Sequence, residues 1–190
     1  EGFSYKIISR AGDRMDDGFI VPDNFDGMGC VPLGDSRLAL IRNHELKPGA
    51  AAKGPAGGDA ALAARLGSLP LYGRDKDGQV LPGGTTTLVY DPRTGHRSAE
   101  FLSLAGTAVN CAGGVTPWGS WLTCEESVLA SPDVPQSHGW VFEVPASAKG
   151  LVQPVPIKAM GRFRHEAVAI DPLTGIAYLT EDRDDGLFYR

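Results

Sequence analysis

Apolar and polar residues alternate with a period of two over short stretches along most of the chain. Each stretch is closed by Gly, Pro, Asp or Asn, the pattern of half-buried strands joined by tight turns. YKIIS, residues 5–9, reads as a first strand and is followed by a polar loop that ends in the turn signal Asp26-Gly27. Hairpins are predicted over 28–45, with its turn at Leu33-Gly34-Asp35-Ser36, over 85–104, over 110–126 and over 165–182. In the first of them Leu38, Leu40 and Arg42 point one way and Ala39, Ile41 and Asn43 the other. GWVFEVP, residues 139–145, and GLFYR, residues 186–190, bring the candidate strands to eleven.

The one irregular segment, 46–84, reads as a surface insertion. It carries a single short helix, capped by Asp59 and running to about Leu66, with Gly67 ending it. The turn phrase Asp91-Pro92-Arg93-Thr94-Gly95 returns as Asp171-Pro172-Leu173-Thr174-Gly175. Hairpins with related turns and related ends predict radial repetition. The expected fold is therefore an all-β, incomplete β-propeller of roughly three blades, about half of a full ring, forming one partial domain over 1–190 whose remaining blades lie after Arg190.

Composition supports this picture and narrows the function. With 42% hydrophobic residues in 190, the chain can bury a sizeable core, and 25 glycines and 14 prolines spread along it favour turns over long helices. A net charge of −5 leaves no electrostatic footprint for nucleic acid or an anionic membrane. No apolar run is long enough to span a membrane, and the first residues lack the layout of a signal peptide. Three cysteines, Cys30, Cys111 and Cys124, without CxxC spacing exclude a zinc ribbon and a disulfide framework. Cys30 and Cys124 read equally well as small buried hydrophobes.

Candidate chemistry gathers at the hairpin ends. Glu45 stands fifteen residues after Cys30, Glu126 fifteen after Cys111, and Glu181 fifteen after Glu166. In a propeller the inner strands run along one axis, so Cys30, Glu45, Cys111, Glu125 or Glu126, Glu166 and Glu181 or Asp182 are expected around one axial pocket. Carboxylates crowded this closely repel unless cations join them. Oxygen donors suit Ca2+, and a thiolate among them favours a transition metal such as iron. Arg164 and Arg183 flank the last acids and either grip a phosphate or only neutralise their neighbours. The Asp-rich loop 13–26 lacks EF-hand spacing and reads as solvated turn residues. No GxSxG, HExxH, Walker A or GxGxxG pattern occurs, and Gly113-Gly114 reads as backbone passing close to the centre.

The blocks DGMGCVPL, LALIRNHE, GGTTTLVYDPRTG, NCAGGVTPWGSWLTCEES, RFRHEAVAIDP and YLTEDRDDGLFYR resemble the PhoX-type alkaline phosphatases, over nearly the whole chain outside 46–84. The resemblance implies a β-propeller, a phosphomonoesterase acting on a small phosphoester, and a centre of Fe3+ and Ca2+. It further implies a protein exported to the periplasm or beyond by the twin-arginine route, and monomeric when complete. It makes Cys111 the iron thiolate, and Glu45, Glu125, Glu126, Glu166, Glu181 and Asp182 the candidate carboxylates for iron and calcium. Further ligands would lie beyond Arg190, so these blades alone are expected to be inactive. Two other functions fit the same residues: a calcium-dependent lactonase or phosphotriesterase-like propeller, and a non-catalytic propeller with structural calcium.

Overall fold

Alternating residues become strands here because each strand buries one face against the next sheet. The computed structural model describes residues 2–190. Ten strands form three antiparallel sheets. The first contains β1 (Phe25–Leu33), β2 (Arg37–His44), β3 (Gly83–Asp91) and β4 (His96–Thr107), in that order. The second contains β5 (Asn110–Val115), β6 (Ser120–Glu125) and β7 (Val141–Pro145), and the third β8 (His165–Ile170), β9 (Ala177–Glu181) and β10 (Phe188–Tyr189). These are the three blades of an incomplete propeller. β1, β5 and β8 are the innermost strands, β1 lying against β5 and β5 against β8.

The core sits between blades. Ala39 and Ile41 of β2, with Val31 and Leu104, meet Trp121, Phe142 and Val144 of the second blade. Leu122, Cys124 and Val141 meet Phe163, Val168 and Leu179 of the third. The parity read from the sequence for β2 is the one observed: Ala39, Ile41 and Asn43 are fully buried toward the second blade.

Residues 5–9 form no strand, contrary to the alternation of YKIIS. The segment lies beside the edge strand β4 without joining its ladder, and side chains hold it there instead. Lys6 donates to the Gly95 carbonyl, Arg97 to the Ile8 carbonyl and Ser9 to Glu100, while Phe3 and Tyr5 stay more than nine-tenths exposed. Residues 46–84 form a packed layer. The helix α1 (Ala60–Gly67) is capped by Asp59, which accepts from the Leu62 amide at 3.0 Å, and Leu66 packs on Met15, Phe19, Val21 and Leu102.

The two Asp-Pro-x-Thr-Gly turns do share one geometry, each Gly amide donating 2.8 Å to its Asp carbonyl. They are not equivalent positions in the ring, however. The first joins β3 to β4, the outer hairpin of its blade, and the second joins β8 to β9, an inner hairpin. The phrase repeats a turn; the blade repeat is carried by the inner hairpins β1–β2, β5–β6 and β8–β9.

Candidate metal centre

All three inner strands break register at the same place. The ladder is irregular between Phe25 and Met28, between Asn110 and Gly113, and between His165 and Val168. Each irregularity leaves two residues unpaired, and such bulges re-aim side chains. The first of the two is Asp26, Cys111 or Glu166, and the second is small: Gly27, Ala112 or Ala167. The last regular pairs before the bulges are Phe25 with His44, Asn110 with Glu125, and His165 with Glu181. One residue further along each second strand stand Glu45, Glu126 and Asp182. Every blade thus offers one donor from its bulge and one carboxylate from the end of its second strand: Asp26 with Glu45, Cys111 with Glu126, and Glu166 with Asp182.

These pairs converge. Donor atoms of Cys111, Glu126 and Glu166 all lie within 4.8 Å of one another. The Glu126 carboxyl is close enough to that of Asp182, and the Glu45 carboxyl to that of Asp26, for each neighbour to raise its affinity for a proton. The Cys111 thiol is buried and points at the backbone carbonyls of His165 (3.3 Å), Cys124 (3.7 Å) and Glu166 (3.8 Å).

The electrostatics follow from crowding. Burial raises the affinity of Glu126 for its proton to a pKa of about 7, helped by the neighbouring Asp182 carboxyl and by the charges of Glu166 and Glu45. Burial likewise raises Glu45, with Asp26 next in effect, and raises Glu166 against an opposing hydrogen bond from Cys111. Burial pushes the Cys111 thiol far up. Without a cation, Glu45, Glu126 and Glu166 hold their protons more tightly than free carboxyls do. A donor set of carboxylates around one buried thiol fits hard oxygen-liganded ions beside one thiophilic ion.

A pH dependence follows. Glu126 titrates near 4.5 when unfolded and near 7 when folded, so between those values the folded metal-free chain holds the extra proton. That stabilisation is complete below pH 4.5 and lost as pH rises through 7. The melting temperature of chelator-treated protein is expected to fall from pH 5 to pH 8, and excess calcium to flatten the fall. Thermal melts followed by circular dichroism check both.

Other residues expected at the axis stand elsewhere. Cys30 is exposed and lies opposite Leu40 in the middle of β1, because β1 runs on past its bulge. Glu125 points away from Glu126, as strand alternation requires, and is fully buried. Its carboxylate accepts from His138 Nδ1 at 2.7 Å and from the amides of Ala108 (2.9 Å), Gly139 (2.8 Å) and Trp140 (3.2 Å). Glu181 accepts from the Tyr189 hydroxyl at 3.0 Å and the Leu187 amide at 3.3 Å. Arg164 and Arg183 are exposed beside the third blade's pair; the Arg164 carbonyl accepts from the Asp182 amide at 3.0 Å, and Arg183 Nε donates to Asp185 at 3.1 Å. Asp26 was legible only as a turn residue, although the ligand-then-small dipeptide it shares with Cys111-Ala112 and Glu166-Ala167 marks all three bulges.

Comparison with known proteins bears on what this centre does. The family model described as alkaline phosphatase PhoX matches residues 1–190. Among solved structures, Pseudomonas fluorescens PhoX in complex with vanadate, a transition state analogue, matches with a TM-score of 0.55 and 18% sequence identity. The match covers 86% of this chain and 40% of that one, so the chain spans well under half the length of that protein. No curated protein matches the chain.

Proposed function

Since the chain belongs to the PhoX family of alkaline phosphatases, we propose that its three blades carry one side of the axial site of a metal-dependent phosphomonoesterase. The observation that carries this reading is the threefold recurrence of a bulge-borne donor beside a strand-end carboxylate, with one of the six donors a buried thiol. In this reading Cys111, Glu126 and Glu166 hold iron, and Asp26, Glu45 and Asp182 supply the oxygen ligands that suit calcium. Glu125 and Glu181 receive no metal role, since their carboxylates are taken up by protein donors. The thiol favours iron plus calcium over the calcium-only lactonase or structural-calcium readings, which have no use for sulfur.

When bound, the metals supply Lewis-acid polarisation of phosphoryl oxygens and a water of lowered pKa. The chain supplies the rest. Glu126 gives up its proton as pH rises through about 7, which frees the carboxylate for a cation and fits work at alkaline pH. Arg164 and Arg183 offer planar two-pronged donors to the substrate's phosphate. The exposed pair of Arg183 with Asp185 is weak enough to yield to a phosphate. The complete propeller, with the remaining blades, is the proposed catalytic unit, exported from the cytoplasm as its family resemblance implies.

Protein purified without chelator is expected to contain both iron and calcium and to release phosphate from an aryl phosphate at alkaline pH. Calcium without iron, or full metal content with no hydrolysis of any phosphomonoester, would sink the reading. Arg164→Ala and Arg183→Ala are each expected to raise KM about tenfold or more, the scale of a lost charged contact to phosphate. Unchanged steady-state constants in both would make these arginines mere neighbours of the acids.

A further inference from the structure

Cys111 and Ala112 fall in the bulge of β5, outside the regular pairing with β6, and a residue of the first blade reaches across to bond their carbonyls. Asn43 in β2 is fully buried and faces the second blade. Its Nδ2 donates to the Cys111 carbonyl at 3.0 Å and to the Ala112 carbonyl at 2.8 Å. Its Oδ1 accepts from Trp121 Nε1 at 2.9 Å. The indole N–H can only donate, so it fixes which end of the amide faces the carbonyls; a flipped amide would set oxygen against two oxygens. β1 closes in on the same peptide: a Cβ on Gly27 would lie 2.8 Å from the Cys111 oxygen and 2.7 Å from the Ala112 Cα.

We infer that Asn43, locked by Trp121, is a positioning residue for the Cys111 thiol: a strut from the first blade that fixes the bulge of the second and so aims its sulfur into the cluster. The inference rests on the proposed role of Cys111 as a metal thiolate for its meaning, but the strut itself is a property of the metal-free chain. The equivalent positions in the other blades, two residues before Glu126 and Asp182, hold Cys124 and Thr180. Thr180 accepts from the Ala167 amide of its own blade's bulge at 3.1 Å, a local bond within one sheet. The crossing bond of Asn43 serves the one bulge that carries sulfur.

The three cysteines make the test, because each reports a different event. Cys30 is exposed, Cys111 lies beside the strut, and Cys124 is fully buried in the same blade. Metal-free protein is labelled with an aromatic disulfide reagent and each cysteine followed by peptide mass spectrometry. A general loss of stability would speed Cys111 and Cys124 together. Asn43→Ala is expected to raise the rate of Cys111 relative to Cys124 about tenfold, the scale of one or two lost buried hydrogen bonds. An unchanged ratio overturns the strut. Should Asn43→Ala not fold, Trp121→Phe removes only the lock and keeps the ring, and is expected to raise the same ratio about threefold; no change there overturns the inference equally. Labelling is read without metal, so it judges the strut whether or not iron binds, while the iron content of the unmodified protein judges the thiolate reading.

Discussion

Cys111→Ser is expected to strip iron from the protein and abolish its thiolate-to-metal visible absorption, while leaving calcium and the fold in place. The thiol is the one sulfur in the cluster of Cys111, Glu126 and Glu166, and softness is what distinguishes it from the carboxylates around it. Burial holds its proton tightly in the metal-free chain, so only a cation that binds thiolate strongly can displace that proton. A serine hydroxyl keeps nearly the same volume and still donates to the surrounding carbonyls, so packing is close to conserved, but it cannot replace the thiolate bond. Iron content by elemental analysis should fall at least about tenfold, as metal sites do when a direct ligand or even its support is removed. Thermal stability in chelator should change by no more than about 1 kcal/mol. Cys124→Ser provides the contrast: Cys124 is equally buried and shares the same apolar cluster, but its sulfur is not among the grouped donors, and its loss should leave the iron in place. Iron retained in full by Cys111→Ser would make the thiol a packing residue.

Part of this candidate centre was legible in the sequence, and what was not has identifiable physical causes. The hairpins, the turns at Asp91 and Asp171, the parity of β2 and the cap at Asp59 follow from local chemistry and needed no tertiary knowledge. Glu45, Cys111, Glu126, Glu166 and Asp182 could be found by supposing that hairpin ends converge. The constant interval of fifteen residues failed at Cys30 because β1 is nine residues long and its bulge comes before Met28, not at the cysteine. The residue that matches Cys111 and Glu166 is Asp26. The bulge in β5 reverses the parity of that strand beyond Ala112, whereas β6 pairs with β7 without a break; alternation therefore sets Glu125 and Glu126 on opposite faces but does not say which face meets the axis. Glu125 is instead claimed by His138 and three backbone amides, contacts between residues far enough apart in sequence that no periodicity announces them. The strand expected at residues 5–9 failed differently: alternation supplies a propensity only, and beside the edge strand β4 the segment is held by the side chains of Lys6, Ser9 and Arg97 rather than by a backbone ladder.

Convergence at the axis has its own requirement, and breaking it should have the largest effect on stability. Gly114 of β5 passes so close to β8 that a Cβ there would sit 1.8 Å from the Val168 carbonyl oxygen and 2.8 Å from its carbon. Both obstacles are backbone, so no rotamer change relieves them, and the two strands must part by more than an ångström to reach ordinary contact. That gap opens along the interface where Leu122, Cys124 and Val141 bury Phe163, Val168 and Leu179. Gly114→Ala is therefore expected to cost about 3 kcal/mol or more, at or above the upper end for overpacking. The same movement draws Cys111 and Glu126 of the second blade away from Glu166 and Asp182 of the third, so metal affinity should fall together with stability. Gly34→Ala is the matched control, because a Cβ there meets nothing within 4 Å and its backbone is not in the left-handed region. It should stay within about 0.5 kcal/mol of the unmodified protein. Urea unfolding in chelator, followed by calcium titration of the folded variants, separates the two effects. A Gly114→Ala protein with an unshifted midpoint and unweakened metal binding would mean that the inner strands do not need this contact to bring the donors together.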